Sequence, residues 1–218
     1  MKFTTVIVTR NSAAHVKTLH TVLKLNIRTI RAGIQNELCF VNDDPFEIAD
    51  VIQDRMKTCD RIVMIHYGVN IDEATIDYFC KDRALEGIGV LVFPAAKEKI
   101  DWDRFSKVTK ENTTEPMHQR ALEFDTDVRK QESPSLWSIN GTEAKTWVMN
   151  CKNVRKKVDK IFAGKPGRMF EKLRESNVKI VAYTAATVTM TFAHECVSNI
   201  LQSSGVRTSA NTPTPLET

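Results

Sequence analysis

Two aspartates one residue apart, Asp125 and Asp127, give this 218-residue chain its plainest means for chemistry. A carboxylate within reach of a hydroxyl can take up its proton during attack. The same pair can instead hold a divalent cation, or stand solvated at a turn. Arg10 and Arg55 carry guanidinium groups, which grip a diphosphate through paired N–H donors. Arg55 serves equally well as a helix-surface residue. Asn42-Asp43-Asp44 precedes Pro45, so it either opens a turn or offers polar groups to a ligand. Trp102 and Trp137 can stack on a sugar, or anchor a long loop.

The elements that would position these groups alternate in period. Phe3–Thr9 is β-branched and predicts a strand; residues 13–31 place Val16, Leu19, Leu23 and Ile27 at helical spacing after a Ser12 cap. Leu38–Asn42 predicts a second strand, 46–58 a helix, Arg61–His66 a third strand, Asp72–Ala84 a helix and Ile88–Phe93 a fourth strand. Repeated strand–helix alternation predicts an α/β fold with a mainly parallel sheet flanked by helices. Ligands of such sheets bind beyond the carboxyl ends of the strands. There this sequence places Arg10-Asn11, Asn42-Asp43-Asp44 and His66-Tyr67-Gly68. Residues 97–142 are polar and turn-rich. Lys145–Asn150 and Val178–Tyr183 predict strands around a helical stretch at 168–176, and 188–203 predicts a helix.

Composition narrows the classes. Hydrophobic residues at 42% and charged residues at 27% describe a globular chain, and no apolar run reaches the length of a membrane span. Five scattered cysteines without a CxxC favour reduced thiols and a cytoplasmic setting. No GxGxxG follows the first strand, and GxxxxGK[ST], GxSxG, HExxH and zinc spacings are absent. Any phosphate must therefore be held by a metal ion or by Lys and Arg. Residues 151–179 hold ten Lys/Arg against three Asp/Glu, a basic segment on a near-neutral body.

Several segments together resemble GT-A glycosyltransferases of the family-2 kind. FTTVIVTRNSAAHVKTL resembles their first strand and helix, LCFVNDD their nucleotide-binding second strand, and DRIVMIHYGVNIDEATI the strand that carries their DxD metal motif. KTWVMNCKNVRKKV and MFEKLRESNVKIVAY, with His194 beyond, resemble the acceptor-side and closing elements. VLVFPAAKEKIDWDRF, EPMHQRALEFDTDV and TFAHECVSNIL are similar to the small chlorella-virus glycosyltransferases that build capsid-protein glycans. The resemblance implies a single GT-A-type domain over 1–202, with a nucleotide-binding half (1–95) and an acceptor half (96–202), followed at 203–218 by a flexible tail or a linker to a further domain.

It also implies a UDP-sugar donor (a hexose or deoxyhexose such as glucose or rhamnose), a glycan or glycoprotein acceptor, Mn2+ or Mg2+, and no nucleic-acid partner. Arg10, Asn42 and Asp43 would hold uridine, with Thr9, Asn11 and Arg55 alongside. Tyr67 and Gly68 would also contact the nucleotide sugar, His66 and His194 the cation, and Asp125 or Asp127 the acceptor. Two positions depart from the family: His66-Tyr67-Gly68 replaces DxD, and Gly167-Arg168 replaces a Glu-Asp pair. The alternatives are a degenerate binding module of the same fold and a nucleic-acid-binding domain using the basic segment.

Overall fold

β1 (Lys2–Thr9) is buried from Phe3 onward on both sides, which only a strand covered by layers on two faces can be. Its β-branched residues alternate: Val6 and Val8 enter one core layer, while Phe3, Thr5 and Ile7 face the other. The computed structural model describes residues 1–111, 114–161, 168–191 and 200. Two compact units divide the chain: residues 1–95 with 125–189, and 96–124 with 190–218.

In the larger unit, β1 is followed by α1 (Val16–Arg31), β2 (Gln35–Asn42), α2 (Pro45–Thr58), β3 (Arg61–Ile65), β4 (Val69–Ile71) and α3 (Glu73–Cys80). β5 (Val90–Val92) ends this run. The smaller unit then contributes β6 (Ala96–Ile100), α4 (Trp102–Lys110) and β7 (Leu122–Phe124). The chain returns to the larger unit with β8 (Thr126–Ser133), β9 (Leu136–Thr142), β10 (Trp147–Asn150), α5 (Cys151–Arg155), α6 (Met169–Glu175), β11 (Ile180–Tyr183) and β12 (Val188–Met190). Eight strands form the central sheet in the order β2-β1-β3-β10-β5-β11-β9-β8.

The expected α/β architecture is present, with a mixed sheet. β2, β1 and β3 run parallel, and β11 is parallel to β5. β10 is wedged antiparallel between β3 and β5, and β8–β9 is an antiparallel hairpin at the far edge. α2 and α5 cover β3 on one face, where Ile52, Met56, Ile62, Met64, Trp147 and Leu173 share a core. Gly89 opens β5 at a crowded spot: a Cβ there would meet Val178 Cγ1 at 2.2 Å, so no larger residue fits without displacement. Arg61 is 4% exposed, and its guanidinium closes the end of α3 by donating to the carbonyls of Phe79 (2.6 Å), Lys81 (3.0 Å) and Asp82 (2.7 Å).

Several expectations change in detail. α1 starts at Val16 with His15 as its cap, because Asn11 and Ser12 form a tight turn instead. Its apolar stripe of Val16, Leu19, Leu23 and Ile27 faces outward, and the buried face is Thr18, Thr21, Val22, Leu25 and Thr29. Among its described residues, the polar 97–142 stretch holds four strands, an α-helix and a short 3-10 helix at Met117–Gln119. Val188–Met190 is a strand beside β4, since the Val-Thr start of the expected 188–203 helix is β-branched. Most of the remainder of that segment lies outside the described residues. No helix among the described residues is long and apolar enough to cross a membrane.

Candidate functional site

Three strand ends converge because β1, β2 and β3 are adjacent and parallel. Thr9 pairs with Asn42 at the ends of β1 and β2, and Ile7 pairs with Ile65 of β3. The residues just beyond therefore meet. Asp43 N–H donates to Thr9 O at 2.8 Å, which fixes the start of the β2–α2 connection. Asp44 then caps α2 by accepting from Phe46 N and Glu47 N, both at 2.9 Å, with Pro45 in the first turn. The two aspartates thus divide their tasks: Asp44 holds the helix, and Asp43 faces the strand ends.

After β1 the chain turns through Asn11 (φ 51°) and Ser12 (φ 58°), with Arg10 and Ala13 exchanging backbone hydrogen bonds at 3.1 and 3.0 Å. Two consecutive non-glycine residues in the left-handed region make this a primed two-residue turn, a strained geometry that concentrates at functional sites. It turns the Arg10 side chain back over the sheet end. Arg10 Nε donates to Asp43 Oδ2 at 2.9 Å, and its guanidinium carbon lies 5.1 Å from the centre of the Tyr67 ring. His15 meets the same ring edge-on at 5.2 Å.

After β3, His66 O accepts from Val69 N at 3.3 Å, and Gly68 sits at φ 77° in a turn that favours glycine at that place. Thr18 of α1 locks this turn, its hydroxyl donating to His66 O (3.1 Å) and accepting from Gly68 N (2.9 Å). Thr21 likewise accepts from Ile71 N at 3.0 Å. These bonds explain why α1 buries threonines: its inner face satisfies the backbone of the segment that carries His66.

His66 is 5% exposed and its Nε2 lies 3.2 Å from Asp43 Oδ1. Burial pushes the imidazole below its usual range, and Lys145 and Arg10 push the same way, against the pull of Asp43. The ring is therefore neutral at pH 7, so Nε2–H donates to Asp43, and Nδ1 is a buried acceptor with no hydrogen-bond partner. For Asp43, partial burial favours the neutral form, but the hydrogen bond and charge of Arg10, with the hydrogen bond from His66, hold the carboxyl below the usual range. With His66 neutral, Arg10 is the cation that keeps Asp43 ionised. The cluster therefore behaves as an Arg10–Asp43 ion pair resting on a neutral imidazole.

A concavity of about 330 Å³ adjoins this cluster, lined by Thr9, Ser12, Ala14, Phe40, Val41, Asn42 and Glu47. Thr9 Oγ1 donates to Val41 O at 2.9 Å, and Asn42 Nδ2 donates to Glu47 Oε2 at 3.3 Å. Phe40 projects an exposed ring over it.

The other expected residues divide by location. Arg55 pairs with Glu37 at 2.8 Å near the start of β2, the opposite end of the strand from Asp43, and does not join the site. Asp125 Oδ1 accepts from Ala95 N (3.1 Å) and Thr126 Oγ1 (2.8 Å), just beyond β5. Two strand spacings, about 10 Å, separate β5 from β3. Asp127 accepts from Asn140 Nδ2 at 2.9 Å on β8, five strand spacings or about 24 Å from β3, so the sheet does not bring it to His66. His194 lies outside the described residues.

Lys145, by contrast, carried no signal in sequence. It precedes β10, and only the antiparallel insertion of that strand beside β3 brings it near His66. The basic segment is split between α5 and α6, and several of its cations are engaged: Arg155 with Met56 O, Lys157 with Asn177 O, Arg168 with Glu171 and Lys179 with Glu132.

The described residues do not fit a Mn2+ or Mg2+ centre by themselves. No group of three or more His, Cys, Asp or Glu converges among them. Asp43, the carboxylate nearest His66, already has one oxygen on Arg10 and the other on the imidazole. A hard cation needs several oxygen ligands.

No family model and no curated protein matches this sequence. Among solved structures, the chain is similar in path to A197 from STIV, at 11% identity over 87% of this chain and 85% of that one, with a TM-score of 0.48. It is similar to S. aureus TarS 1-349 at 10% identity over 97% of this chain and 67% of that one, with a TM-score of 0.42. GalNAc-T7, solved with UDP, GalNAc and Mn2+, gives 10% identity over 87% of this chain and 43% of its own, with a TM-score of 0.46. At such identities and scores the likeness assigns no role to any residue.

Proposed function

We propose that the chain is a nucleotide-sugar glycosyltransferase that moves a sugar from a UDP donor to a glycan hydroxyl. The observation that supports it is one juxtaposition at the carboxyl end of the parallel strands. A concavity holding an exposed aromatic ring and an amide adjoins the Arg10–Asp43 ion pair on a neutral imidazole, with Lys145 close to that imidazole. Uracil is planar with a hydrogen-bonding edge, which suits the Phe40 ring and the Asn42 amide. The diphosphate extends towards Arg10 and Lys145. Their cationic side chains stabilise the charge that gathers on the leaving UDP as the bond between the sugar C1 and the phosphate oxygen breaks.

Asp43 and His66 are positioning residues, holding the Arg10 fork where the diphosphate arrives. In this reading Arg10 and Lys145 carry the diphosphate charge. Asp125 is the carboxylate we assign to the acceptor hydroxyl, since it stands beyond β5, whose carboxyl end lies at the same end of the sheet as that of β3. Capsid-type glycoprotein glycans and a cytoplasmic setting belong to the same reading, supported by the sequence segments and the cysteine pattern alone.

A second reading, a UDP-binding module without transfer, is favoured by the lack of a three-ligand cation cluster among the described residues. One experiment separates them. UDP, GDP and CMP sugars are screened by thermal shift, and UDP release from the stabilising donor is then followed with and without Mn2+. A donor that binds the native state must raise its melting temperature. Transferase activity predicts a UDP-selective shift and release of UDP above background. A shift without release leaves the binding module, and no shift with any nucleotide sugar overturns both.

A further inference from the structure

The outer face of α1 combines two features that a helix exposed only to water does not need. Val16, Leu19, Leu23, Ile27 and Ile30 are 71%, 44%, 52%, 51% and 76% exposed. At 100° per residue these five side chains occupy an arc of about 80°, a continuous stripe four turns long. Single exposed apolar residues are ordinary, but a stripe of five on one helix is not. Along one side of it runs positive charge: Arg31 and Lys24 follow Ile27 around the helix in that order, within about 60°. α1 contains four Lys/Arg and no Asp or Glu. Arg28, further round, is engaged with Glu73 at 2.6 Å and Asp77 at 3.0 Å, and so belongs to the body of the protein.

We propose that this face seats the protein on an anionic lipid surface. Charge complementarity selects that occupant. A second copy docked face to face would set two wholly basic helices against each other, whereas a bilayer with acidic headgroups supplies negative charge beside an apolar layer. An amphipathic helix of this composition lies in the interface plane, its apolar stripe below the headgroups and its Lys/Arg among them. The inner face, fixed by Thr18 and Thr21 to the His66–Ile71 segment, keeps the helix attached while the outer face is buried.

The test is co-sedimentation of the full chain with phosphatidylcholine vesicles, with and without about 30% phosphatidylserine. Binding is expected with the anionic vesicles only, and it should weaken as salt is raised from about 0.1 M to about 0.5 M. Leu23→Glu/Ile27→Glu abolishes it, and Lys24→Glu/Arg31→Glu weakens it by about tenfold or more. Leu23, Ile27 and Arg31 are exposed and Lys24 is half-buried, and both double variants keep the parent melting temperature. Equal binding to neutral and anionic vesicles, or none to either, overturns the proposal. So does a dimer in light scattering that Leu23→Glu/Ile27→Glu splits while no vesicle is bound, because a second copy would then cover the face.

Discussion

The two ends of the eight-stranded sheet treat their charged side chains differently. At the β2-β1-β3 end, parallel strands stop together, and the residues past them interlock: Arg10 on Asp43, Asp43 on His66, and Tyr67 beneath the guanidinium. At the β9-β8 end the strands form a hairpin, and the exposed Asp127 accepts a hydrogen bond from its cross-strand neighbour Asn140. Carboxylates of the same type thus acquire different work. The parallel end buries an imidazole beside the carboxylate and shifts both groups, and such perturbed clusters concentrate at functional sites. In the hairpin Asp127 is part of a solvated edge.

Variants sort the two ends by size of effect. The largest is expected from Asp43→Ala, which releases Arg10 and leaves the His66 Nε2–H without its acceptor. Turnover of the UDP-sugar should fall about 100-fold, read as kcat/KM. Arg10→Ala follows, removing a charge-assisted contact to the diphosphate worth about 1.5–3 kcal/mol; UDP affinity should drop ten- to hundredfold by calorimetry. Asp125→Asn should lower kcat about tenfold or more while leaving UDP affinity unchanged, as expected for a group that meets only the acceptor. Asp127→Asn should change neither quantity. Equal losses from Asp127→Asn and Asp43→Ala would erase the distinction between the ends.

The pH dependence sharpens the same contrast. Because the folded-state pKa of His66 is lowered, the unfolded chain binds a proton first as pH falls below about 6.5. Stability contributed by the neutral ring is complete above that value and is lost as pH falls from it towards the folded pKa. The melting temperature should therefore decline through this window, and His66→Gln should flatten the decline, since the amide still donates to Asp43 and does not titrate. Asp43 acts in a lower window: its contribution is complete above the unfolded carboxyl pKa of about 3.9 and is lost as pH falls through the lower folded value.

Sequence revealed the parallel end and concealed most of the rest. Arg10, Asp43 and His66 follow three apolar strands, and parallel pairing makes their convergence legible from spacing alone. Lys145 was hidden because nothing local in KTWVMN indicates a strand inserted antiparallel between β3 and β5. α1 misled for a different reason. Periodicity locates an apolar face without saying which side is buried, and here Thr18 and Thr21 face inward because the His66–Ile71 backbone needs hydrogen bonds more than it needs leucines. The hairpin went unseen because β8 reads as an exposed, charged run.

Calorimetric titration of UDP into the parent protein, Arg10→Ala and Asp127→Asn tests the assignment of the parallel end most directly. Saturable one-to-one binding is predicted for the parent and for Asp127→Asn with equal affinity, and a loss of about tenfold or more for Arg10→Ala. Binding that Arg10→Ala leaves intact, or no binding of UDP to the parent protein, would contradict it.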